Sequence, residues 1–353
     1  MRASPPSDFQ RTPQRPGVSC GESRSKDRSD DVTRPRVLLA GPIDPSGERI
    51  IATRADIVAA PDVRPETLRR LVADADVLVV RAQLPADVFD HAPRLRGVVR
   101  HGVGLDMIPM EAASAHGIPV ANVPGSNRDA VAEHVLTCFG LLTRHTQRMD
   151  RSLHESGWGA SRKLAERATE LNGQTVGIVG VGSIGLRIAE ICHFGYRMTV
   201  LGHQRRLDAL PAFIEGAALD DLLARSDFVV LSCPLNAATQ GLIDARRLAL
   251  MKPGAFLVNV ARGAVIIEAA LIAALRGGRL ASAALDVFET QPLTPQHPLL
   301  ALDNVLLTPH VAGLTAQSMA RMSQGTAEEV LRLLAGDRPV NLVNPEVWER
   351  RRR

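Results

Sequence analysis

Three glycines in one short turn, at residues 180–185, constrain this chain more than any other feature of its sequence. The run TVGIV at Thr175–Val179 is apolar and β-branched, which predicts a buried strand immediately before the turn. After the turn, apolar residues from Ile184 to Cys192 recur with helical spacing, and a second β-rich run follows at 198–201. The sequence therefore predicts a strand, a tight glycine turn, a helix and a second strand.

The glycine turn has the spacing GxGxxG, which is typical of a dinucleotide-binding site. Gly180 permits the turn, Gly182 allows the backbone to approach a pyrophosphate, and Gly185 allows the helix to pack closely on the strand. Ser183 and Ile184 begin the helix, whose free N–H groups and dipole favour phosphate. Because a strand is predicted before the turn and a helix after it, the motif has the context that it requires. We therefore predict that this turn binds a dinucleotide cofactor.

The length of 353 residues suggests two domains of ordinary size. The formal net charge of +4 comes from the ends of the chain, with +3 in residues 1–36 and +2 in residues 344–353. The body is nearly neutral, so the sequence does not show the basic stripe of a nucleic-acid-binding protein. Residues 1–34 are expected to be disordered, because they are rich in Arg, Ser, Pro and Asp and offer little apolar surface to bury.

The cysteines Cys20, Cys138, Cys192 and Cys233 are scattered without a CxxC pair, which favours reduced thiols in a cytosolic compartment. No apolar run approaches the length of a membrane helix, and the N-terminus has no apolar secretory core. No residue is assigned to a metal site. The sequence predicts a soluble cytoplasmic protein that binds neither nucleic acid nor a membrane.

Short apolar strands alternate with helical segments along the chain, which predicts parallel sheets with helices on both faces. A long helix at 126–144 is expected to connect two domains, and the final helix at 315–334 to pack back on the first. The predicted strands are Arg36–Ala40, 57–59, Val77–Val80, 98–100, 119–121, Thr175–Val179, 198–201, 228–232, Ala255–Asn259, 283–287 and Val305–Leu307. The other predicted helices are 48–54, 65–73, 85–91, 109–115, 219–224, Ala245–Leu250 and Glu268–Arg276.

Charged or glycine-rich loops begin where four of the predicted strands end. In an open parallel sheet, ligands bind outside the carboxyl ends of the strands, so these loops are the expected site. An arginine there can grip a carboxylate through two charge-assisted hydrogen bonds, and a histidine can transfer a proton near neutral pH. The four loops are 79–81, 101–106, 259–263 and 308–313.

Further short motifs follow one another in order: AVAEH at 130–134, Cys-Pro at 233–234, MKPG at 251–254, NVARG at 259–263, LDVF at 285–288 and TPHVAG at 308–313. With these motifs, the chain from about residue 36 to residue 345 resembles the D-isomer-specific 2-hydroxyacid dehydrogenase family, which includes phosphoglycerate dehydrogenase and glyoxylate/hydroxypyruvate reductase. The resemblance implies an α/β fold of two doubly wound parallel-sheet domains, with a Rossmann cofactor domain inserted in a flavodoxin-like substrate domain. The expected boundaries are 1–34 for a basic tail, 35–126 with 316–345 for the substrate-binding domain, 127–315 for the NAD(P)-binding domain, and 346–353 for a second basic tail.

The resemblance also implies that a small oxo acid is reduced by hydride from a nicotinamide. Arg262 would bind the substrate carboxylate and carbonyl oxygen, and His310 would give the carbonyl oxygen its proton. Backbone N–H groups around Val103 and Gly104 would cradle the carboxylate. The other implied contacts are Arg81 and Asn127 with the substrate tail, Cys233, Pro234 and Thr239 with the adenine side, Val260, Ala261 and Gly313 with the cofactor, and Asp286 with the nicotinamide amide.

The chain departs from the family pattern at one catalytic position. The family's catalytic acid lies five residues after the aspartate of LDVF, where this chain has Gln291. A carboxylate beside His310 would raise the pKa of the imidazole by its charge, whereas a neutral amide can only orient the ring. We expect His310 to remain a competent acid that titrates at lower pH. The formate dehydrogenase branch of the superfamily also has Gln here, so formate oxidation is an alternative function.

A second departure follows the predicted strand at 198–201. A carboxylate near this place usually binds the adenosine ribose hydroxyls of NAD. Here the position holds Gln204, followed by Arg205 and Arg206, which suit a 2′-phosphate. The sequence therefore favours NADP over NAD. A solvated arginine pair beside an NAD pocket is the alternative.

The expected function is that of an NAD(P)-dependent reductase of a small 2-oxo acid such as glyoxylate or hydroxypyruvate, acting as a homodimer formed mainly through the cofactor domain. A nucleotide-sensing protein without activity is a further alternative, because some relatives of this fold act as transcriptional corepressors. Retention of Arg262 and His310 argues against that alternative. The identity of the substrate is left open, since the pocket wall is expected to contain the variable positions Leu105, Met107 and Leu314.

Overall fold

A computed structural model describes residues 34–352 of the chain. The tail predicted at residues 1–34 therefore lies outside the described residues, apart from Arg34. The described residues form two parallel sheets, one of five strands and one of seven. The predicted α/β class with two doubly wound parallel sheets is confirmed.

The first sheet has the spatial order β2-β1-β3-β4-β5, which is the flavodoxin-like order. Its strands are apolar along most of their length because helices cover both faces. Asp44 caps the first helix, since its side chain accepts a hydrogen bond from the Ser46 N–H, and Pro45 occupies the first helical turn. The elements are β1 (Arg36–Ala40), α1 (Pro45–Ala52), β2 (Asp56–Ala59), α2 (Pro65–Val72), β3 (Val77–Val80), β4 (Gly97–Arg100), α3 (Met110–Ala115) and β5 (Val120–Ala121).

Two consecutive helices, α4 (Arg128–Arg144) and α5 (Thr146–Leu164), separate the two sheets along the chain. The sequence pattern predicts α4 but misses α5. The second helix is mostly polar and exposed, so its few apolar residues give only a weak helical signal. Gly157 also interrupts it with a φ of 74°.

The second sheet has the order β12-β11-β10-β9-β6-β7-β8, in which the middle of the sheet follows the Rossmann pattern. Its first helix, α6, continues into a π-helical turn at Ile191–Gly195, where a tighter regular helix is expected from the sequence. The two-residue β8 at the edge is too short to predict. The elements are β6 (Thr175–Val179), α6 (Ser183–Glu190), β7 (Thr199–His203), β8 (Glu215–Gly216), α7 (Leu219–Arg225), β9 (Phe228–Leu231), α8 (Ala245–Leu250), β10 (Ala255–Asn259), α9 (Glu268–Arg276), β11 (Leu280–Leu285) and β12 (Val305–Leu307).

The final helix, α10 (Ala316–Ala335), returns to the first sheet, where it packs on α1, β3 and β4. Its buried residues Ala327, Val330 and Leu333 share a hydrophobic cluster with residues of these elements. This packing supports a discontinuous substrate domain, although the exact boundaries stay a prediction. The segment predicted as a C-terminal tail contains a 3₁₀ helix at Pro345–Arg350, whose Val347 is fully buried.

The interior is aliphatic, as expected for a chain with 3% aromatic residues. An aromatic contact lies within one hydrophobic cluster of the second sheet: Phe228 lies with its ring centroid 4.6 Å from that of Phe139 and 4.9 Å from that of Phe256. Among residues 34–352, no helix is both long and apolar enough to cross a bilayer.

Candidate active site

The loops that the sequence places at strand ends come together in the structure. Residues that follow β3 and β4 of the first sheet face residues that follow β10, β11 and β12 of the second. Between them lies a cavity of about 290 Å³. Among the predicted site residues, its lining contains Arg81, Val103, Gly104, Asn127, Ile184, Val260, Arg262, Asp286, His310 and Gly313.

The guanidinium of Arg262 is held by groups from both sheets. Its Nε and Nη2 donate to Oδ1 of Asp106 at 3.1 and 2.8 Å, and its Nη1 donates to the Ala261 carbonyl at 2.6 Å. Asn259, the last residue of β10, stabilises the turn, because its side chain accepts from the Ala261 N–H and donates to the Arg262 carbonyl. The Arg262 side chain is 26% exposed, so it is placed at the cavity wall rather than in bulk solvent.

The turn after β4 offers backbone N–H groups to an anion. Within residues 34–352, the N–H groups of Val103 and Gly104 have no acceptor in the protein. Arg100 stabilises the turn, because its guanidinium donates to the carbonyls of Val80, His101 and Gly104 at 2.6–2.9 Å. Burial lowers the pKa of Arg100 to about 10, so this guanidinium remains charged at neutral pH. The turn therefore combines free N–H donors with a neighbouring positive charge.

His310 stands on strained backbone, with a φ of 57° that few residues other than glycine adopt. Its Nδ1 lies 3.2 Å from Oε1 of Gln291, so the amide oxygen can accept the Nδ1 hydrogen and leave Nε2 as the second functional atom. Desolvation lowers the pKa of His310, and the positive charge of Arg262 lowers it further. The imidazole is thus oriented by a neutral partner and holds its proton less tightly than an exposed histidine.

Asp286 fixes the loop that carries this histidine. The carboxylate is 3% exposed and accepts hydrogen bonds from the N–H groups of Val311 and Ala312 and from the hydroxyl of Thr308. Asp286 also lines the cavity, where the sequence predicts a contact with the nicotinamide. The three hydrogen bonds show that Asp286 also stabilises the loop, and its contact with the nicotinamide stays a prediction.

A second cavity, of about 770 Å³, opens beside the glycine turn. Gly180 has a φ of +96°, and a Cβ there would lie 2.5 Å from the Cys233 nitrogen. A Cβ on Gly185 would lie 2.2 Å from the Gly180 carbonyl oxygen, whereas one on Gly182 would meet no atom within 4 Å. The turn is therefore closely packed on its protein side and open at Gly182, which fits a pyrophosphate. Predicted residues in the lining of this cavity are Gly180, Gly182, Gln204, Arg205, Arg206, Cys233, Pro234 and Thr239.

The residues after β7 line one end of this cavity. The side-chain amide of Gln204 donates to the Arg206 carbonyl at 2.8 Å, so Gln204 closes the turn. Arg206 lies 3.8 Å from Asp208, and both side chains are more than three-quarters exposed. Such an exposed pair is weak, so the guanidinium can exchange this partner for a ligand.

Four predicted site residues lie outside both cavities. Ala261 is buried behind Arg262, Gly185 packs under the turn, and Ser183 is exposed at the start of α6. Gln291 lies behind the imidazole, in a separate apolar depression with Phe288 and Leu293. Of the three residues expected in the pocket wall, Met107 and Leu314 line the smaller cavity, and Leu105 packs on the first sheet's core.

Two residues of the smaller cavity's surroundings are missed by the sequence pattern, namely Arg100 and Asp106. Arg100 ends an apolar strand and Asp106 is the acid of the loop 101–106, but neither signal identifies a partner. His101 also lines the cavity while its Nε2 lies 2.8 Å from the Ser323 hydroxyl. Burial first, and then the charges of Arg81 and Arg100, lower the pKa of His101 to about 3, so it is a neutral structural residue.

Comparison with known proteins agrees with this arrangement. Residues 137–312 match the profile of the D-isomer specific 2-hydroxyacid dehydrogenase NAD-binding domain. The glyoxylate reductase of Aeropyrum pernix is 37% identical over 330 residues, which cover 90% of this chain and 98% of that enzyme. The D-3-phosphoglycerate dehydrogenase of Mycobacterium tuberculosis is 39% identical over 319 residues, or 89% of this chain, but the match spans only 59% of that longer enzyme.

A solved structure shows the same fold. The NADPH-dependent glyoxylate/hydroxypyruvate reductase of Sinorhizobium meliloti, determined with NADP and malonate, superposes with a TM-score of 0.81 at 28% identity and covers 91% of this chain and 99% of its own. The family motifs, the two parallel sheets and these relatives lead to one conclusion. The chain belongs to the D-isomer-specific 2-hydroxyacid dehydrogenase family.

Proposed function

We propose that this protein catalyses NAD(P)H-dependent reduction of a small 2-oxo acid to the 2-hydroxy acid, with glyoxylate and hydroxypyruvate as the leading substrates. One observation carries the proposal. Arg262, His310 and the unpaired N–H groups of Val103 and Gly104 line the same cavity of about 290 Å³, although they come from three separate loops. This set matches an anionic carboxylate next to a carbonyl that must accept a proton.

In the proposed mechanism, Arg262 and the two N–H groups bind the substrate carboxylate, and Arg262 also polarises the carbonyl oxygen. A nicotinamide cofactor, when bound, would supply the hydride for the carbonyl carbon. His310 delivers the proton to the carbonyl oxygen from Nε2, while Gln291 holds Nδ1. Arg81 and Asn127 lie at the same cavity for the substrate tail, and the Oδ1 of Asn127 is buried without a donor in the described part of the protein.

For the cofactor, the proposal places the pyrophosphate at the turn of Gly180 and Gly182. The adenosine ribose then lies near Gln204, Arg205 and Arg206, all in the lining of the larger cavity. No carboxylate takes part in this lining, and two guanidinium groups do, which supports a preference for the 2′-phosphate of NADP.

The proposal further assigns the protein to the cytoplasm as a homodimer. Support for a reducing compartment comes from Cys138, Cys192 and Cys233, which are buried free thiols. Size-exclusion chromatography with light scattering measures the oligomeric state directly. A monomer at micromolar concentration would contradict the dimer.

A substrate panel tests the proposed activity. Purified protein is given NADPH or NADH with glyoxylate, hydroxypyruvate, pyruvate or phosphohydroxypyruvate, and nucleotide oxidation is followed by absorbance. We expect turnover that is lost in Arg262→Ala and His310→Ala, while both variants still bind the nucleotide. A parallel assay with formate and NAD⁺ or NADP⁺ examines the alternative suggested by Gln291. Tight nucleotide binding without turnover of any acid would instead favour a nucleotide sensor.

A further inference from the structure

Asp106 forms an ion pair with Arg262 across the two sheets. Asp106 follows β4 of the first sheet, and Arg262 follows β10 of the second. Oδ1 of Asp106 accepts two hydrogen bonds from one edge of the guanidinium, from Nε at 3.1 Å and from Nη2 at 2.8 Å. The pair therefore forms only when the two sheets hold these loops against each other.

The N–H groups of Arg262 that do not bind Asp106 or Ala261 show which edge of the guanidinium is available to a ligand. A guanidinium has five N–H groups in a fixed plane. Asp106 takes two of them and the Ala261 carbonyl takes a third. The two left over belong to Nη1 and Nη2, so one can donate to a carboxylate oxygen and the other to the carbonyl oxygen of a 2-oxo acid. Asp106 thus leaves a substrate-sized fork unoccupied and does not compete for it.

The surroundings permit little rotation of this plane. A Cβ on Gly104 would lie 2.0 Å from Nη2 of Arg262 and 2.8 Å from Oδ1 of Asp106, so the pair fits against the bare backbone of the turn. If the guanidinium rotated, it would either clash with the backbone of Gly104 or lose its hydrogen bonds to Asp106. The same glycine supplies one of the free N–H groups, which places the fork beside the proposed carboxylate cradle.

The charges around the cavity keep Asp106 ionised and paired with Arg262. Arg81, Arg100 and Arg262 line the cavity, and of these three only Arg262 pairs with a carboxylate among residues 34–352. Burial raises the pKa of Asp106, but the hydrogen bonds and charge of Arg262 outweigh it and leave that pKa below its ordinary value. Asp106 is therefore ionised at neutral pH and remains a full partner of the guanidinium.

We propose that Asp106 is a positioning residue, which fixes Arg262 with its Nη1–Nη2 edge toward the carboxylate of the 2-oxo acid and couples that orientation to contact between the two sheets. This inference rests on the proposed function, because it presumes a carboxylate substrate at Arg262. It extends that function, because binding of the substrate by Arg262 would depend on a residue that follows a strand of the other sheet.

The test compares Asp106→Ala and Asp106→Asn with wild type. Steady-state kinetics gives kcat and KM for the 2-oxo acid, and isothermal titration of the enzyme–nucleotide complex with oxalate gives a dissociation constant without turnover. We expect Asp106→Ala to raise both KM and the oxalate Kd by about 10- to 100-fold, the range for hydrogen bonds to charged groups, with a smaller change in kcat. Asp106→Asn keeps an acceptor without the charge, so its values should fall between those of wild type and alanine.

A matched control separates positioning from general damage. Asp74→Ala removes another Asp–Arg pair, with Arg36 at 3.1 Å, from the exposed edge of the first sheet. This control should leave KM and the oxalate Kd unchanged. Nucleotide affinity, measured by fluorescence, should be unchanged in all variants. If Asp106→Ala does not fold by circular dichroism, Asp106→Asn supplies the comparison.

The two hypotheses fail differently. Active wild-type enzyme with KM and oxalate Kd within about twofold in both Asp106 variants would overturn the positioning role and leave the function intact. Wild-type protein that reduces no 2-oxo acid would overturn the function, and the oxalate titration would then still decide the orientation of Arg262. Oxalate affinity that is absent in wild type, or equal in wild type and variants, would overturn the role of Asp106.

Discussion

Nδ1 of His310 lies 3.2 Å from Oε1 of Gln291, so the proposed acid of this protein is oriented by a neutral amide. Desolvation and the charge of Arg262 lower the pKa of His310, and the amide provides no negative charge to oppose them. The imidazole is therefore oriented without a carboxylate at position 291, and the charges of Asp286 and Asp106, which raise its pKa, do not outweigh desolvation and Arg262. Several properties of the enzyme should depend on this combination and on its neighbours.

Replacing Gln291 by Glu should move the pH dependence of reduction. The reaction needs protonated His310, so its rate falls as pH rises through the pKa of the imidazole. A carboxylate raises that pKa, and the rate of Gln291→Glu should persist to higher pH than that of wild type. The measurement is kcat/KM against pH for both proteins. Gln296→Glu adds the same charge at an exposed place in this loop and serves as the control. Coincident profiles for Gln291→Glu and wild type would contradict the expectation.

Removing the arginines after β7 should change the choice of nucleotide. Arg205→Ala and Arg206→Ala should each lower kcat/KM for NADPH by about tenfold, because a charge-assisted hydrogen bond to the 2′-phosphate is lost, and should change the value for NADH little. The exposed Arg54→Ala, which lies in the turn after α1, is the control. An equal decrease in kcat/KM with both nucleotides would mean that the arginines do not bind the 2′-phosphate.

A methyl group at position 104 should displace Arg262 and weaken binding of the substrate. In Gly104→Ala, the new Cβ would lie 2.0 Å from Nη2 of Arg262, so the guanidinium must leave its place. We expect kcat/KM for the 2-oxo acid to fall by about 100-fold, comparable to misplacement of a binding group by 1 Å. Nucleotide affinity should stay the same. Gly159→Ala, where a Cβ meets no atom within 4 Å, should be neutral. Full activity in Gly104→Ala would show that Arg262 can bind substrate from another orientation.

The aromatic contact in the second core should carry much of that domain's stability. Phe228 is 1% exposed and contacts the rings of both Phe139 and Phe256. Phe228→Ala should lower the free energy of unfolding by about 3–5 kcal/mol, because a large cavity forms in a close-packed core. Urea denaturation followed by circular dichroism measures it. Phe194→Ala removes the same side chain from a position that is 69% exposed and should cost far less. Similar losses in the two variants would contradict the assignment.

Much of the architecture follows from local patterns. The β-branched run Val77–Val80 predicts a buried strand, and the glycines at 180–185, between an apolar run and a helical pattern, predict a sharp turn from strand to helix. Helix α5 is not predicted, because it has few apolar residues and Gly157 interrupts it. The turn at Pro345–Arg350 is not predicted either, since its burial depends on one valine, Val347, that a charged tail surrounds.

The site divides in the same way. The sequence by itself determined which residues stand at strand ends, among them Arg262 and His310, because strand and loop chemistry are local. Only the tertiary structure decided that Asp106 holds Arg262, since their loops are 156 residues apart and meet through the packing of two sheets. It also decided that the carboxylate of Asp286 accepts hydrogen bonds from the loop that carries His310. Contacts of this kind depend on which loops face each other across the cleft. The local pattern of a single chain segment does not predict them.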